Sequence, residues 1–296
     1  MSSETRRSIN ELITLHELEP TLKEVFVEGL TDVQILRWFM DANSCSSVPV
    51  YSVDTVEVTA FHLAKYNLTS NNRNRLFVLA HELKSDKIDL VDRILCIIDK
   101  DLNSLIVESI DTNVLILTDY SSLEMYTFSS EPLGKFLTIY CRGYPISAAD
   151  MMKQIAPTLK ELFLIRATNE DLRLQLSPLE FQKYCVMRGR EVASARDRYL
   201  SAYLNKNGKR GEFDSFLEHV DRFRQSVLGE ERNFIHGHDY VNLLAWYLSQ
   251  SGNSRTARNI YNDQAVERAL FGSLEVPHVV NEGTFQKVLS FCQKPL

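Results

Sequence analysis

The stretch KEVFVEGLTDVQILRWFM, residues 23–40, decides the fold class. Residues 23–27 end in a β-prone apolar run that predicts a short strand, and Gly29 supplies a sharp turn. Val33 and Leu36 then begin an apolar pattern with helical spacing, which predicts an amphipathic helix. A strand, a tight turn and a helix in this order open a βαβ unit, so the sequence predicts a parallel sheet.

Four further stretches extend this alternation. Residues 48–53 predict a second short strand, and residues 71–84 place their apolar side chains on one face of a helix. Residues 93–98 (RILCII) and 113–117 (NVLIL) are continuous apolar runs, which are typical of central strands covered on both faces. We therefore expect additional strands in the same parallel sheet.

The pattern changes beyond about residue 134, where segments with a period near 3.6 dominate. Helices are predicted at residues 148–165, 212–228 and 240–249. Polar loops are predicted at residues 205–211 (NKNGKRG) and 249–258 (SQSGNSRTAR). The predicted fold is α/β, with a Rossmann-like parallel-sheet domain over residues 1–133 and a mainly helical domain for substrate or partner binding over residues 134–296.

Composition limits the classes of function. The 296 residues are 44% hydrophobic and 24% charged, the balance of a globular chain. A net charge of -6 argues against nonspecific coating of nucleic acid but allows a local basic groove. The five cysteines are scattered and form no CxxC pair, which favours reduced thiols in a cytoplasmic protein. The first residues lack the apolar core of a secretion signal, and the apolar runs are too short to cross a membrane.

Acidic residues follow or close the predicted strands. They are Glu28, Asp99, Asp101 and Glu124. In open parallel sheets, ligands bind at the carboxyl edge, and carboxylates gathered there repel one another unless a cation compensates. Because oxygen ligands suit Mg²⁺ or Mn²⁺, the sequence predicts a metal site for phosphate chemistry. If the strand continues to Leu102, Asp99 and Asp101 lie on one side of it and can share a cation.

Each acid also has a structural interpretation. Glu28 with Gly29 can simply end a strand, and an isolated DxD can be a solvated turn in which Asp99 caps the next segment. Glu124 would lie in a first helical turn, where the macrodipole favours a negative side chain. Asp32 can cap a helix or bind a metal. The occurrence of acids at the ends of three successive strands favours the metal site.

Basic residues and histidines are candidate contacts to a substrate. They are Lys100, Lys209, Arg210, Arg232, His236 and His238. Asp239 is predicted to cap a helix whose N-terminus can bind phosphate next to the two histidines. The alternatives are that the histidines are loop residues and that the basic cluster is solvated surface.

The motifs VFVEGLTDVQIL and CIIDKD resemble those of the Toprim domains of topoisomerases, primases and OLD-family nucleases. TDYSSLEMY, with its glutamate, is similar to the DUF4435 branch of Toprim-like proteins, which includes effector nucleases of PARIS anti-phage defence systems. By position, the resemblance implies that Glu28 is a general acid/base or metal ligand and that Asp99 and Asp101 bind the metal. Glu124 matches the glutamate of the DUF4435 helix. Asn103 stands where topoisomerases have a further acid, which leaves the number of metal ions open.

The resemblance also implies an activity and partners. The predicted first domain would be a Toprim-like catalytic domain, and the protein a Mg²⁺-dependent nuclease that cleaves host tRNA. An ABC-type ATPase would hold it inactive until a phage trigger protein releases it as a homodimer. The chain has no Walker A motif, so nucleotide hydrolysis must come from a separate chain. Two alternatives stay open: a nuclease that nicks or cleaves DNA, as OLD nucleases do, and a non-catalytic regulatory subunit that binds an ATPase.

Overall fold

A computed structural model of the chain describes residues 6–83, 90–106, 112–142, 144–189, 191–250 and 261–295. The strands in these ranges are β1 (Arg7–Ser8), β2 (Glu24–Val27), β3 (Val50–Ser52), β4 (Val56–Glu57), β5 (Ile94–Ile98), β6 (Leu115–Leu117), β7 (Cys185–Arg188) and β8 (Glu191–Ser194). The α-helices are α1 (Ile9–Leu18), α2 (Leu30–Ala42), α3 (Ala60–Lys65), α4 (Asn72–Glu82), α5 (Ser130–Lys135), α6 (Ala148–Asp171), α7 (Arg196–Lys206), α8 (Phe213–Ser226), α9 (Gly237–Gln250), α10 (Asp263–Phe271), α11 (Val276–Val279) and α12 (Gly283–Gln293).

The fold is α/β, and the chain divides into two compact units. Unit 1 comprises Met1–Lys100, Ser109–Asp119 and Val279–Leu296. Unit 2 comprises Asp101–Glu108 and Tyr120–His278. The predicted assignment of catalysis to residues 1–133 and of substrate or partner binding to residues 134–296 stays a prediction.

Unit 1 contains a four-stranded parallel sheet in its described part, with the order β3-β2-β5-β6. The four strands predicted from the sequence are confirmed, with ends that differ by at most two residues. Every residue of β5 is buried, as expected for a central strand covered on both faces. In the register of the sheet, Val27 pairs with Ile97 and Ile98 pairs with Leu117, so neighbouring strands end at nearly the same level.

Apolar side chains from strands and helices form the core of unit 1. Ile9 and Leu12 of α1 pack with Phe26 of β2 and Leu79 of α4, and all four are buried. Helix α12, near the end of the chain, packs on α2 through an edge-to-face contact between Phe285 and Phe39, with ring centroids 4.7 Å apart. This packing places the C-terminal helix in the same unit as the sheet.

Unit 2 is mainly helical, as predicted for the second half of the chain. Its longest helix, α6, extends beyond the predicted residues 148–165 to Asp171. The predicted helices at residues 212–228 and 240–249 are α8 and α9. The helical period did not predict an antiparallel pair, β7 with β8, which turns at Gly189 in the left-handed region with a φ of 65°.

Two predicted loops have different outcomes. Residues 205–211 form the end of α7, a turn and the start of a 3₁₀ helix, Arg210–Glu212. Residues 249–258 begin within α9, and the rest of that stretch lies outside the described residues. Across the parts of the chain that the structure describes, no helix has both the length and the apolar composition that crossing a bilayer requires.

Candidate functional site

Two of the predicted acids meet at the carboxyl edge of the sheet in unit 1. Glu28 follows β2 directly, and Asp99 follows β5, the neighbouring strand. The Glu28 carboxylate accepts a hydrogen bond from the backbone N–H of Asp99, with 2.9 Å between Oε1 and N. Because the two strands end level with each other, the sheet itself places these acids side by side. Both residues are partly exposed, as a ligand site requires.

The backbone of Glu28 is fixed by two neighbouring elements. Its carbonyl oxygen accepts hydrogen bonds from Nδ2 of Asn72 at 2.8 Å and from Oγ of Ser52 at 3.3 Å. The next residue, Gly29, has an extended backbone and forms the N-cap of α2. Its N–H donates to the carboxylate of Asp32 at 2.9 Å, so Asp32 acts as a capping residue of α2. These contacts hold the start of the Glu28 side chain in one place.

Asp119 follows β6, the third strand at this edge, and contacts α12. Its carboxylate accepts a hydrogen bond from the N–H of Thr284 at 2.8 Å, and its own N–H donates to the Thr284 hydroxyl at 3.0 Å. Lys100 Nζ donates to the carbonyl oxygen of Asp119 at 3.4 Å. The carboxylate of Asp119 therefore helps to satisfy the N-terminal amides of a helix, a role that the macrodipole favours.

The predicted alternation of Asp99 and Asp101 along one strand is wrong. β5 ends at Ile98, and Asp101 begins a 3₁₀ helix, Asp101–Ser104, with a φ of 49°. Aspartate tolerates this left-handed conformation, which redirects the chain and removes the period of two on which the prediction relied. Asp101 belongs to unit 2, whereas Asp99 belongs to unit 1.

Within unit 2, Asp101 faces one of the predicted histidines. Its N–H donates to the carbonyl oxygen of Ser121 at 2.7 Å, and its carboxylate lies 4.0 Å from Nε2 of His236. Burial, followed by the nearby guanidinium of Arg166, lowers the pKa of His236, although the carboxylates of Asp239 and Asp101 oppose the shift. The imidazole is therefore mainly neutral at pH 7.

His236 borders a cavity of about 180 Å³ in unit 2, which Asp101, Arg166, Tyr199 and Asp239 also line. Arg166 donates from Nε and Nη2 to the two carboxylate oxygens of Asp239, at 2.6 and 2.7 Å. This bidentate pair corrects the prediction that Asp239 caps a helix. α9 begins earlier in the chain, and the carboxylate of Asp239 is used to compensate a guanidinium.

Glu124 lies in a second polar group of unit 2. It occupies the first turn of a 3₁₀ helix, Leu123–Thr127, where the sequence predicted a helical turn. Oε1 of Glu124 is 3.7 Å from Nδ1 of His238, and one ligand atom each of Glu124, His238 and Glu267 lie within 4.8 Å of one another. Burial and, next, the charge of Glu124 raise the pKa of Glu267. The arrangement is one that a cation would stabilise.

The remaining basic candidates contact other groups. The guanidinium of Arg232 lies 3.7 Å from the ring centroid of Tyr120, and its Nε lies 3.1 Å from the Glu230 carboxylate. Lys209 and Arg210 lie at the turn between α7 and α8, and Lys209 Nζ is 3.7 Å from Glu212. The contribution of these residues to substrate binding stays a prediction.

Sequence reasoning missed Glu267 and Arg166. Glu267 lies on α10 in an ordinary amphipathic pattern, and nothing in its spacing relates it to Glu124 or His238. Arg166 did leave a signal, because it follows the apolar run LFLI in the C-terminal half of α6. A cation within such a run requires an acidic partner, and Asp239 supplies it.

No protein-family model matches this chain, and no curated protein matches it. The function of the chain is therefore inferred from its own residues. The oxygen donors Glu28 and Asp99 at the carboxyl edge of the sheet have the chemistry that Mg²⁺ or Mn²⁺ prefers.

Proposed function

We propose that this chain is a Mg²⁺-dependent nuclease of Toprim type. The observation that supports the proposal best is the hydrogen bond from the Asp99 amide to the Glu28 carboxylate, which gathers two acids where parallel sheets bind ligands. Glu28 and Asp99 would hold the metal. Asp101 is added as a proposed ligand only because the resemblance to the Toprim DxD motif implies it. Glu124 completes the proposed catalytic residues.

The residues at this edge have distinct roles in the proposal. Bound Mg²⁺ or Mn²⁺ would polarise the scissile phosphate and lower the pKa of an attacking water. The Asp99 amide orients the Glu28 carboxylate. The side chains of Asn72 and Ser52 fix the backbone of Glu28 through hydrogen bonds to its carbonyl oxygen. Lys100 is anchored on Asp119 and supplies a positive charge next to the acids in sequence, which would attract a phosphodiester.

The proposed substrate is RNA, with host tRNA as the class that the motif resemblance implies. In the same proposal the protein is cytoplasmic and acts as a toxic effector of anti-phage defence, like the AriB effectors of PARIS systems. An ABC-type ATPase holds it inactive, and a phage trigger protein leads to its release as a homodimer. DNA nicking and a purely regulatory role on the ATPase are the competing functions.

The test is cleavage by the purified chain. Total tRNA and supercoiled plasmid are incubated with the protein and Mg²⁺, Mn²⁺ or EDTA, and the products are separated on gels. We expect tRNA fragments that require the metal. Removal of a metal-binding carboxylate costs several kcal/mol in the transition state, so Glu28→Ala is expected to slow cleavage about a thousandfold.

The matched control is Glu17→Gln, which neutralises an exposed acid on α1 in the same unit and is expected to leave the rate unchanged. Nicking of the plasmid with intact tRNA would favour the DNA alternative. If folded wild-type protein cleaves neither nucleic acid with either metal, the nuclease proposal is wrong. The regulatory role would then be tested by binding to the ATPase subunit.

A further inference from the structure

The group formed by Glu124, His238 and Glu267 offers a nitrogen and two carboxylate oxygens to one point in unit 2. Their ligand atoms lie within 4.8 Å of one another, although the residues come from three different elements. A metal with bonds of about 2.0–2.2 Å brings its ligand atoms to about 3–3.6 Å apart. Small rotations at the ends of three side chains are therefore sufficient to close the group on an ion.

Gly237 allows this convergence. It begins α9, next to His238, and a Cβ atom there would lie 2.2 Å from Oγ of Ser122 and 2.4 Å from Oε2 of Glu124. Any larger residue would push the Glu124 carboxylate away from the first turn of α9. The absence of a side chain at this position thus lets the imidazole and the carboxylate face each other.

Ser122 is an independent sign of a ligand. The residue is only 8% exposed, and its hydroxyl has no hydrogen-bond partner within the described parts of the chain. Oγ of Ser122 and Oε2 of Glu124 both lie close to the position that a Cβ atom on Gly237 would occupy. The Ser122 hydroxyl is therefore next to the Glu124 carboxylate of this group. Leaving a buried hydroxyl without a partner is unfavourable, and a metal ion or its bound water would offset this cost.

We propose that Glu124, His238 and Glu267 form a binding site for a divalent transition metal ion. A mixed set of imidazole and carboxylates favours Zn²⁺ or Mn²⁺ over Mg²⁺, because Mg²⁺ prefers oxygen ligands and keeps several waters. The side chain of His238 is 72% exposed, which leaves an entry path and an open coordination position. Glu124 is also one of the proposed catalytic residues, whereas Glu28 and Asp99 of unit 1 are not part of this site.

Binding is measured on the full chain after removal of metals with EDTA and dialysis. Zn²⁺ is titrated by calorimetry and equilibrium dialysis in excess Mg²⁺, which occupies sites made only of carboxylates. We expect one tightly bound Zn²⁺ per chain, and a weakening of about 100-fold or more in both His238→Ala and Glu267→Gln. Co²⁺ is a second probe, whose visible absorption changes when the imidazole ligand is lost.

The chain supplies a matched control. His278 Nε2 lies 3.4 Å from a carboxylate oxygen of Glu131 in the same unit, yet that pair is not part of any three-ligand group among the described residues. His278→Ala is therefore expected to bind Zn²⁺ as the wild type does. If His278→Ala and His238→Ala weaken binding equally, the ion is held nonspecifically and the proposal fails.

A second readout is thermal stability, since the ion would join the 3₁₀ helix Leu123–Thr127 to α9 and α10. At a hundredfold excess over its Kd, Zn²⁺ is expected to raise the melting temperature of the wild type by about 5 °C. No rise is expected in Glu267→Gln. Equal Zn²⁺ affinity in wild type, His238→Ala and Glu267→Gln, all folded by circular dichroism, would overturn the site. Glu28→Ala is expected to bind Zn²⁺ as the wild type does. Zn²⁺ binding therefore tests the zinc site separately from the nuclease proposal.

Discussion

Strand β2 has a glutamate at each end, and the two are held in opposite ways. Glu24, at the amino end, is 2% exposed and is bound by two basic side chains, Arg7 at 2.7 Å and His16 at 3.1 Å. Glu28, just beyond the carboxyl end, is bound by the amide of Asp99, a residue that brings a second carboxylate. The comparison shows that the partners of a carboxylate, and not its residue type or strand, separate a structural acid from a candidate ligand.

The geometry of unit 1 explains the difference. His16 lies in the last turn of α1, where the macrodipole favours a cation, and it lies next to the buried start of β2. At the other end, the carboxyl ends of the parallel strands lie at one edge of the sheet. Glu28, Asp99 and Asp119 follow three adjacent strands there. At the amino end, Glu24 is compensated by basic side chains of the fold itself, whereas Glu28 and Asp99 at the carboxyl edge are the acids that we propose bind an external cation.

The largest effect that this comparison predicts is on stability. Glu24→Gln leaves Arg7 without its charged partner in a partly buried place, so we expect the unfolding free energy to fall by about 2–3 kcal/mol. Glu28→Gln, at the exposed edge, is expected to change it by less than about 0.5 kcal/mol. Urea denaturation of both variants and the wild type measures this contrast. Equal losses would mean that Glu28 is also a structural residue.

A second prediction concerns how the stability that Glu24 contributes changes at acidic pH. Burial raises the pKa of Glu24, but hydrogen bonds from His16 and Arg7 together outweigh it and lower the pKa below its ordinary 4.5. A carboxyl group whose pKa is lower in the folded state than in the unfolded chain stabilises the folded state at pH values above its unfolded-state pKa. This contribution is lost as the pH falls through the folded-state pKa. The stability gap between wild type and Glu24→Gln should therefore be constant above about pH 5 and should narrow below about pH 4.5. Urea titrations at several pH values measure the gap, and a constant gap down to pH 3 would contradict the assignment.

The sequence predicted the elements of the sheet well because apolar runs and turn residues are local signals. β2, β5 and their acids at residues 28 and 99 follow from these runs. The same local reasoning failed at Asp101, because a single left-handed residue redirects the chain without a change in composition. It also could not find Glu267, whose relation to Glu124 depends on tertiary packing between distant elements.

The smallest predicted effect is on stability and concerns two glycines that each begin a helix. Each of them lies against the carboxylate of an acidic residue. A Cβ on Gly283 would lie 2.5 Å from Oδ1 of Asp119, and one on Gly237 would lie 2.4 Å from Oε2 of Glu124. Asp119 is short and accepts the N–H of Thr284, so it cannot yield without losing that bond. Gly283→Ala is therefore expected to cost about 1–2 kcal/mol.

Glu124 has a longer side chain whose carboxylate can rotate away. The neighbouring Ser122 hydroxyl makes no hydrogen bond among the described residues. Gly237→Ala is therefore expected to cost less than about 1 kcal/mol in stability, partly offset by the lower entropy of the unfolded alanine chain. Its main effect should be a displaced Glu124 carboxylate and weaker Zn²⁺ binding. Urea denaturation compares the two variants directly. A larger loss in Gly237→Ala would show that Glu124 is held as rigidly as Asp119, because a movable carboxylate would have relieved the contact.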